Sequence, residues 1–599
     1  MKVARVPRAR RMIGWIGFLA VTGLLLAADV SRVRQSENER IAIIEKVQPA
    51  VVAVFGPGGQ GGGSGVLIDA DGYALTNFHV VAGAGPVMKC GLPDGVLYDA
   101  VLVGLDRVGD VALIKLLPKK EGTPFPFVPL GDSDTVREGD WSMAMGNPFL
   151  LATDFTPSVT FGLVSGVHRY QYPEGTLLEY TDCIQIDTSI NPGNSGGPLF
   201  NMKGELIGIN GRGSFDKRAR INSGVGYAIS INQIKNFLGH LHAGLDTDHA
   251  SLGAIVASVD DDIPRLVVRD IIDTSDAHRR GLDVGDELIS FAGRPMNSVN
   301  EFKNVLGIYP KDWRLPLEFR RQNERKEVLI RLQGVLPKET PNEDENAGRP
   351  RPAGPRSKPP IPDGPAKKLY VERKGFANYY FNELHQKRLW EAFRKHGEFT
   401  TFQGPWSIEG ELELAARKTN CRLIVTEEKV GSEVHPLVKM TTDTTEYVLD
   451  PLKHDLTIAE RTAPVGSGGM LMAVYQLRHL LATGLQGFGR NIAHGGHEPF
   501  YPPRPDGIRP RRLNELRVET EVLRTELAGT PVKWYFSRAD HRLMGFEVFS
   551  ENHADPCEIY FFDVRPVSGG QLPHRWEIRF GDNRFGVLTV RSYNLAANP

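Results

Sequence analysis

Cysteine is scarce in this chain: Cys90, Cys183, Cys421 and Cys557 are the only four in 599 residues. Their wide separation excludes a disulfide-framework mini-protein and supplies no CxxC metal or redox motif. An excess of either charge is also missing. Against 71 Lys and Arg stand 72 Asp and Glu, a formal net charge of −1. That removes the electrostatic footprint expected of a chain whose main partner is nucleic acid. Long apolar runs are rare too. The run Met12 to Ala28 follows Lys2, Arg5, Arg8, Arg10 and Arg11 and ends in Ala27-Ala28 before Asp29. It is shorter than the ~20 residues of a spanning helix and has the layout of a secretory signal. Residues 1–28 are therefore expected to be a cleaved signal, with an uncleaved inner-membrane anchor as the alternative. Either form places the remainder in the periplasm or cell envelope. Export permits disulfides, so one pair in each half of the chain and four buried free thiols both stay open.

What is present is ordinary globular composition, 41% hydrophobic and 24% charged, in a length that suits several domains of ~100–200 residues. One stretch stands out: Asn191-Pro192-Gly193-Asn194-Ser195-Gly196-Gly197-Pro198-Leu199. Glycine lacks a Cβ, so such a loop turns sharply and aims several amides into one concavity. A serine held there can attack a carbonyl while the amides of Gly193, Asn194 and Ser195 hold the resulting oxyanion. An ordinary polar turn has the same composition, so the partners decide.

A serine nucleophile needs a base, and the base an orienting acid. Thr76-Asn77-Phe78-His79-Val80-Val81 supplies a base just past a hairpin turned by Asp69-Ala70-Asp71-Gly72. Asp110 opens the apolar run Val111 to Leu116 and supplies the acid, whereas Asp106 reads as a loop residue. The order His79, Asp110, Ser195 matches the chymotrypsin arrangement and neither the subtilisin nor the α/β-hydrolase one.

With these three motifs, and with Met145-Gly146-Asn147-Pro148-Phe149, Val159 to Ser165 and Gly226-Tyr227-Ala228-Ile229, the sequence resembles the HtrA/Deg family of trypsin-like serine proteases over about residues 36–334. The resemblance implies an all-β chymotrypsin-like double β-barrel over 36–247, with the triad in the cleft and no metal or other cofactor. Tyr227, Ala228 and Ile229 would wall a shallow apolar specificity pocket. Residues 250–334 look like a PDZ domain, β-rich with helices, whose carboxylate loop is Leu252-Gly253-Ala254-Ile255. Such domains add a peptide as an extra strand and hold its C-terminal carboxylate on backbone amides. The resemblance also implies homotrimers, although no aromatic contact motif precedes Ile41.

Residues 335–367 are rich in proline and charge and read as an extended linker. Residues 368–599 read as an α+β domain of unassigned role with a mostly antiparallel sheet and helices at Phe381–Arg394 and Met470–Leu485. Its ending is faintly similar to lipoprotein-binding half-barrels of the LolA type. His494-x-x-His497-Glu498 reads as a solvated Gly/Pro-rich loop with no metal role. The expected function is an exported endopeptidase acting on unfolded or damaged envelope proteins and regulated by C-terminal peptides. The alternatives are a chaperone or peptide-binding scaffold with a silent triad, and lipid or lipoprotein handling by the C-terminal domain.

Overall fold

Short apolar strands punctuated by Gly, Asp and Pro run from Val51 to Ser230, and in the computed structural model they close into two six-stranded antiparallel barrels. The described residues are 31–597 apart from 57–61, 148–153, 173–178, 216–221, 260–263, 337–360, 416, 431–432 and 505–511. The expected signal, most of the glycine run 58–63 and most of the expected linker lie outside them. The first barrel orders its strands Leu97–Asp106, Val87–Gly91, Val51–Phe55, Gly62–Leu67, Tyr73–Thr76 and Val111–Leu117, which pairs back onto Leu97–Asp106. The second runs Pro198–Phe200, Leu206–Phe215, Asn222–Ser230, Tyr180–Ile186, Ser158–Gln171 and Trp141–Gly146 and closes through Leu199 opposite Ala144. Closure leaves no free sheet edge within either barrel. Residues 31–47 are helical, a longer segment than the expected 36–48.

A second unit follows the helix Ile231–His242. Its sheet is ordered Ala254–Val259, Arg265–Ile271, Glu287–Phe291, Arg314–Arg321 and Glu324–Arg331, with Ala254–Val259 at the edge. The helix Val299–Leu306 starts at Ser298, whose hydroxyl accepts from Glu301 N, the N-cap arrangement that satisfies an orphan amide. Phe302, Val305 and Leu306 of this helix fill the unit's own core.

The third unit is a single 11-stranded antiparallel sheet curved around the helix Met470–Thr483. Twelve of that helix's residues are buried. A helix apolar on all sides suits a central position. The segment containing His494 and His497 departs from expectation. It forms the buried edge strand Ile492–Phe500 rather than a solvated loop. It packs against the helix Tyr379–Arg394 and the helix Ile231–His242, which supplies the burial that local composition does not announce.

The expected linker also ends earlier than residue 367. Ala366 is buried, and Ala366, Ala377 and Phe381 join the core of the first barrel. Asn378 Nδ2 donates to the carbonyls of Leu102 (2.7 Å) and Leu369 (2.8 Å). The third unit is thus docked on the first barrel. All four cysteines are buried free thiols, and no helix among the described residues is long and apolar enough to cross a membrane.

Candidate active site

The serine loop closes on itself. Asn194 N donates to Asn191 O (2.9 Å) and Gly197 N to Asn194 O (3.0 Å). Gly193 and Gly196 take φ values of +103° and +83°, a region that β-carbon-bearing residues enter at a cost. The loop is wedged between the barrels. A Cβ on Gly196 would lie 2.2 Å from Ser64 O and 2.4 Å from Thr76 Oγ1, and one on Gly197 would lie 2.2 Å from Met145 O. Ser64 N donates to Ser195 O (2.8 Å) and Ser64 Oγ to Gly193 O (2.6 Å), so the first barrel grips the loop directly.

His79 is the second residue of the short helix Phe78–Ala84, directly after the strand Tyr73–Thr76. Its Nδ1 lies 2.8 Å from Asp110 Oδ2, and its backbone amide donates to Asp110 Oδ1 at 3.0 Å. The Asp110 side chain is fully buried, whereas that of His79 is 40% exposed. The ring therefore has one nitrogen anchored in the interior and the other edge toward the cleft. Asp110 adopts φ +57°, which costs a non-glycine residue about 1–3 kcal/mol. Its carbonyl accepts from Phe78 N (3.2 Å) and Asn77 Nδ2 (2.9 Å), and these bonds hold the strained residue in place.

Ser195 Oγ donates to Gly211 O at 3.5 Å, the outer limit for such a bond. No hydrogen bond joins Ser195 to His79 among the described residues. The amides of Gly193 and Ser195 have no acceptor among the described residues, whereas that of Asn194 is spent on Asn191 O. Two of the three expected oxyanion donors are thus available, and Asn194 is corrected to a turn-forming role. Ala228 and Ile229 are 0% and 1% exposed and pack in the barrel cores, which leaves Tyr227 as the one of the three pocket residues with exposed surface. In the second unit Leu252 is buried, Gly253 has φ +74° and Ile255 is 63% exposed on the edge strand.

Sequence reasoning missed three side chains here. Tyr180 donates its hydroxyl to Asp110 Oδ2 (2.5 Å). Asp106, read as a loop residue, is buried, and its two carboxylate oxygens each lie 2.9 Å from His249 Nε2. His249 Nδ1 meets Gly307 O at 2.6 Å. Both ring nitrogens face acceptors, so the ring carries both protons. Burial opposes that charge, but Asp106 outweighs it and raises the pKa above the usual histidine range. Only the spacing of an unremarkable His and Asp could have signalled the pair. Among the described residues, no cluster of His, Cys, Asp or Glu is arranged to hold a metal ion.

Residues 63–209 match the family model of the trypsin-like peptidase domain. A protein of Pseudomonas putida (strain GB-1) named "Probable periplasmic serine endoprotease DegP-like" is 36% identical over 284 residues, covering 46% of this chain and 56% of that protein. A protein of the same name from Chlamydia trachomatis is 32% identical over 282 residues, 45% of this chain and 53% of that one. The chain thus spans about half the length of the curated relatives it matches. The solved structure described as "HtrA-type protease AlgW with tripeptide" is 29% identical, covers 49% of this chain and 97% of its own, and superposes with a TM-score of 0.40. Through its amino-terminal half, the chain is thus similar to DegP-like periplasmic serine endoproteases and carries a segment that matches the trypsin-like peptidase domain.

Proposed function

We propose that the protein is a serine endopeptidase of the cell envelope with His79, Asp110 and Ser195 as its triad. The observation that carries the reading is the buried Asp110 carboxylate holding His79 by both its amide and its Nδ1, at 3.0 and 2.8 Å, beside a serine loop that only glycines fit. Nδ1 donates to the carboxylate, which leaves Nε2 as the basic nitrogen facing the cleft. Ser195 Oγ leaves Gly211 O, passes its proton to His79 Nε2 and attacks the scissile carbonyl. The amides of Gly193 and Ser195 receive the oxyanion. His79 then gives the proton to the leaving amine, and a water repeats the sequence to release the acyl group.

The substrates proposed are unfolded or damaged envelope proteins, cut after small aliphatic residues. Residues 250–334 are proposed to act as a PDZ module that takes a peptide C-terminus on Leu252 to Ile255 and along the edge strand Ala254–Val259. The names of the periplasmic relatives support this setting, and the exposed Ile255 beside the open strand edge supports the peptide site.

The test compares the full chain with Ser195→Ala on unfolded casein, with a fluorophosphonate label, each with and without a peptide bearing a free C-terminus. Wild type is expected to cleave and to be labelled, and Ser195→Ala to do neither. Absence of both in wild type under every condition overturns the enzyme reading. Cleavage mainly after Lys or Arg overturns the pocket reading.

A further inference from the structure

The buried Asp110 carboxylate has a third donor that the triad does not include. Its Oδ1 accepts from His79 N, and its Oδ2 accepts both from His79 Nδ1 and from the hydroxyl of Tyr180. An ionised carboxylate only accepts, so the tyrosine proton must point at it. Tyr180 is 3% exposed and opens the strand Tyr180–Ile186 of the second barrel, whereas His79 and Asp110 belong to the first. The phenol therefore crosses the cleft from one barrel to the other.

The phenol ring lies against Gly211 of the strand Leu206–Phe215. A Cβ on Gly211 would lie 2.5 Å from Tyr180 Cε1 and 3.0 Å from its hydroxyl oxygen. Gly211 is the residue whose carbonyl accepts from Ser195 Oγ. Tyr180 thus touches both the acid and the strand that receives the nucleophile. On its other side, the strand is gripped by the second unit. Asp182 N donates to Asn304 Oδ1 (2.9 Å), and Asn304 Nδ2 donates to His168 O (2.6 Å). The Asp182 carboxylate meets His168 Nδ1 (2.6 Å) and Arg294 Nη1 (3.2 Å), and a Cβ on Gly307 would lie 2.4 Å from Thr181 Cγ2. Asp182 itself sits at φ +51°, so the backbone beside Tyr180 is shaped by these contacts rather than by local preference.

We infer that Tyr180 is a positioning residue for the acid: its hydroxyl fixes the Asp110 carboxylate against His79 and sets how strongly that carboxylate supports the imidazolium. The inference rests on the triad reading above. A hydrogen bond donated to the anion disperses its charge. Without it, Asp110 presents more charge to His79, the imidazolium is stabilised and the base protonates at higher pH. The carboxylate also loses one of its three restraints, and fewer encounters find the productive geometry.

The experiment measures kcat and KM against pH for a chromogenic peptide, using the full chain. Tyr180→Phe keeps the ring on Gly211 and removes the hydroxyl. We expect kcat to fall on the order of tenfold, as for loss of a hydrogen bond to a charged group, with KM little changed. The acid limb of kcat/KM should move up by roughly half a pH unit. Replacing Tyr180 with 3-fluorotyrosine makes the phenol a stronger donor with the same shape, and should move that limb down. A merely structural Tyr180 would change thermal stability and leave both limbs in place, and unmoved limbs in both variants overturn the inference. Should Tyr180→Phe fail to fold, the near-isosteric fluorotyrosine chain decides alone. Fluorophosphonate labelling of wild type separates the two readings. A labelled, active wild type with unmoved limbs defeats Tyr180 only, whereas an unlabelled wild type defeats the triad reading and this inference with it.

Discussion

At the scale of single residues, the site depends on atoms that are missing. Gly196 and Gly197 leave room for Ser64 O, Thr76 Oγ1 and Met145 O at distances no Cβ could share. Gly196→Ala adds both that collision and an alanine at φ +83°, for which the backbone cost alone is about 1–2 kcal/mol. We expect a thermal midpoint lower by several degrees, on the order of 4–8 °C per 1 kcal/mol for a small domain and less for a larger one. Fluorophosphonate labelling of Ser195 should be lost. A variant that labels at the wild-type rate would show that the wedge is not needed to place the nucleophile. Ser195, His79 and Asp110 were legible because each sits in a short motif whose order along the chain carries meaning. Tyr180 and Asn304 were not. A tyrosine hydroxyl acquires its partner only when two barrels close on one another, and no local pattern marks it.

At the scale of elements, the third unit's sheet joins the second unit through buried charge. Arg331 Nη2 lies 2.6 Å from Glu547 Oε1, and Arg314 Nη1 lies 2.9 Å from Glu558 Oε1. Burial by itself would raise the Glu547 pKa, but Arg331 and Arg314 bring it below the usual carboxylate range. Removing one partner of such a pair leaves a buried charge uncompensated, at a cost of about 3–5 kcal/mol. Arg331→Ala should therefore lower the unfolding free energy of the second and third units, read from urea denaturation, by that much. Arg331→Met combined with Glu547→Leu should recover most of it. Equal loss in the single and double variants would show that packing, not charge, holds this face. The helices Tyr379–Arg394 and Met470–Thr483 were readable from the sequence. The strand Ile492–Phe500 was not, because His494, Gly495, Gly496 and Pro499 have the composition of a loop. The strand forms there because neighbouring elements bury it. Gly496 lies so close to His240 that a Cβ would be 2.8 Å from the ring, and Gly239 lies closer still to His497, at 2.2 Å.

At the scale of the whole molecule, this contact collects five histidines: His240, His242, His385, His494 and His497. Burial lowers the pKa of each below the usual histidine value, His242 to about 4 and His497 to about 3. Among the described residues, neither ring nitrogen of His240 has a hydrogen-bond partner. The groups facing the cluster are Lys115, Arg388, Arg524, Lys533 and Arg538, opposed by Glu521 and Asp312. A histidine with a lowered folded pKa stabilises the docked form above its unfolded value of about 6.5, and that stability is lost as pH falls toward the folded value. His249, between the first barrel and the second unit, has a raised pKa and the opposite sign. Its contribution is full below about 6.5 and is lost as pH rises through its folded value. Hydrogen-exchange protection factors at pH 7.5 and 5.5 should separate the two contacts. Protection in Ile492–Phe500 and Tyr379–Arg394 should fall at the lower pH, and that in Val299–Leu306 should hold or rise. A uniform change across all three elements would refute the assignment.

The run of short strands in the first half, the glycine-rich serine loop and the order of the three catalytic candidates were determined by the sequence itself. Strand alternation, glycine spacing and capping act over a few residues and need no distant partner to be expressed. The tertiary structure alone decided which amides of the loop stay free, that Tyr180 reaches Asp110, that Asp106 is buried against His249, and that the chain after residue 360 packs on the first barrel. Each of these is a contact between residues far apart in the chain. Their energies come from desolvation and from close approach between surfaces, and neither exists until the surfaces have met.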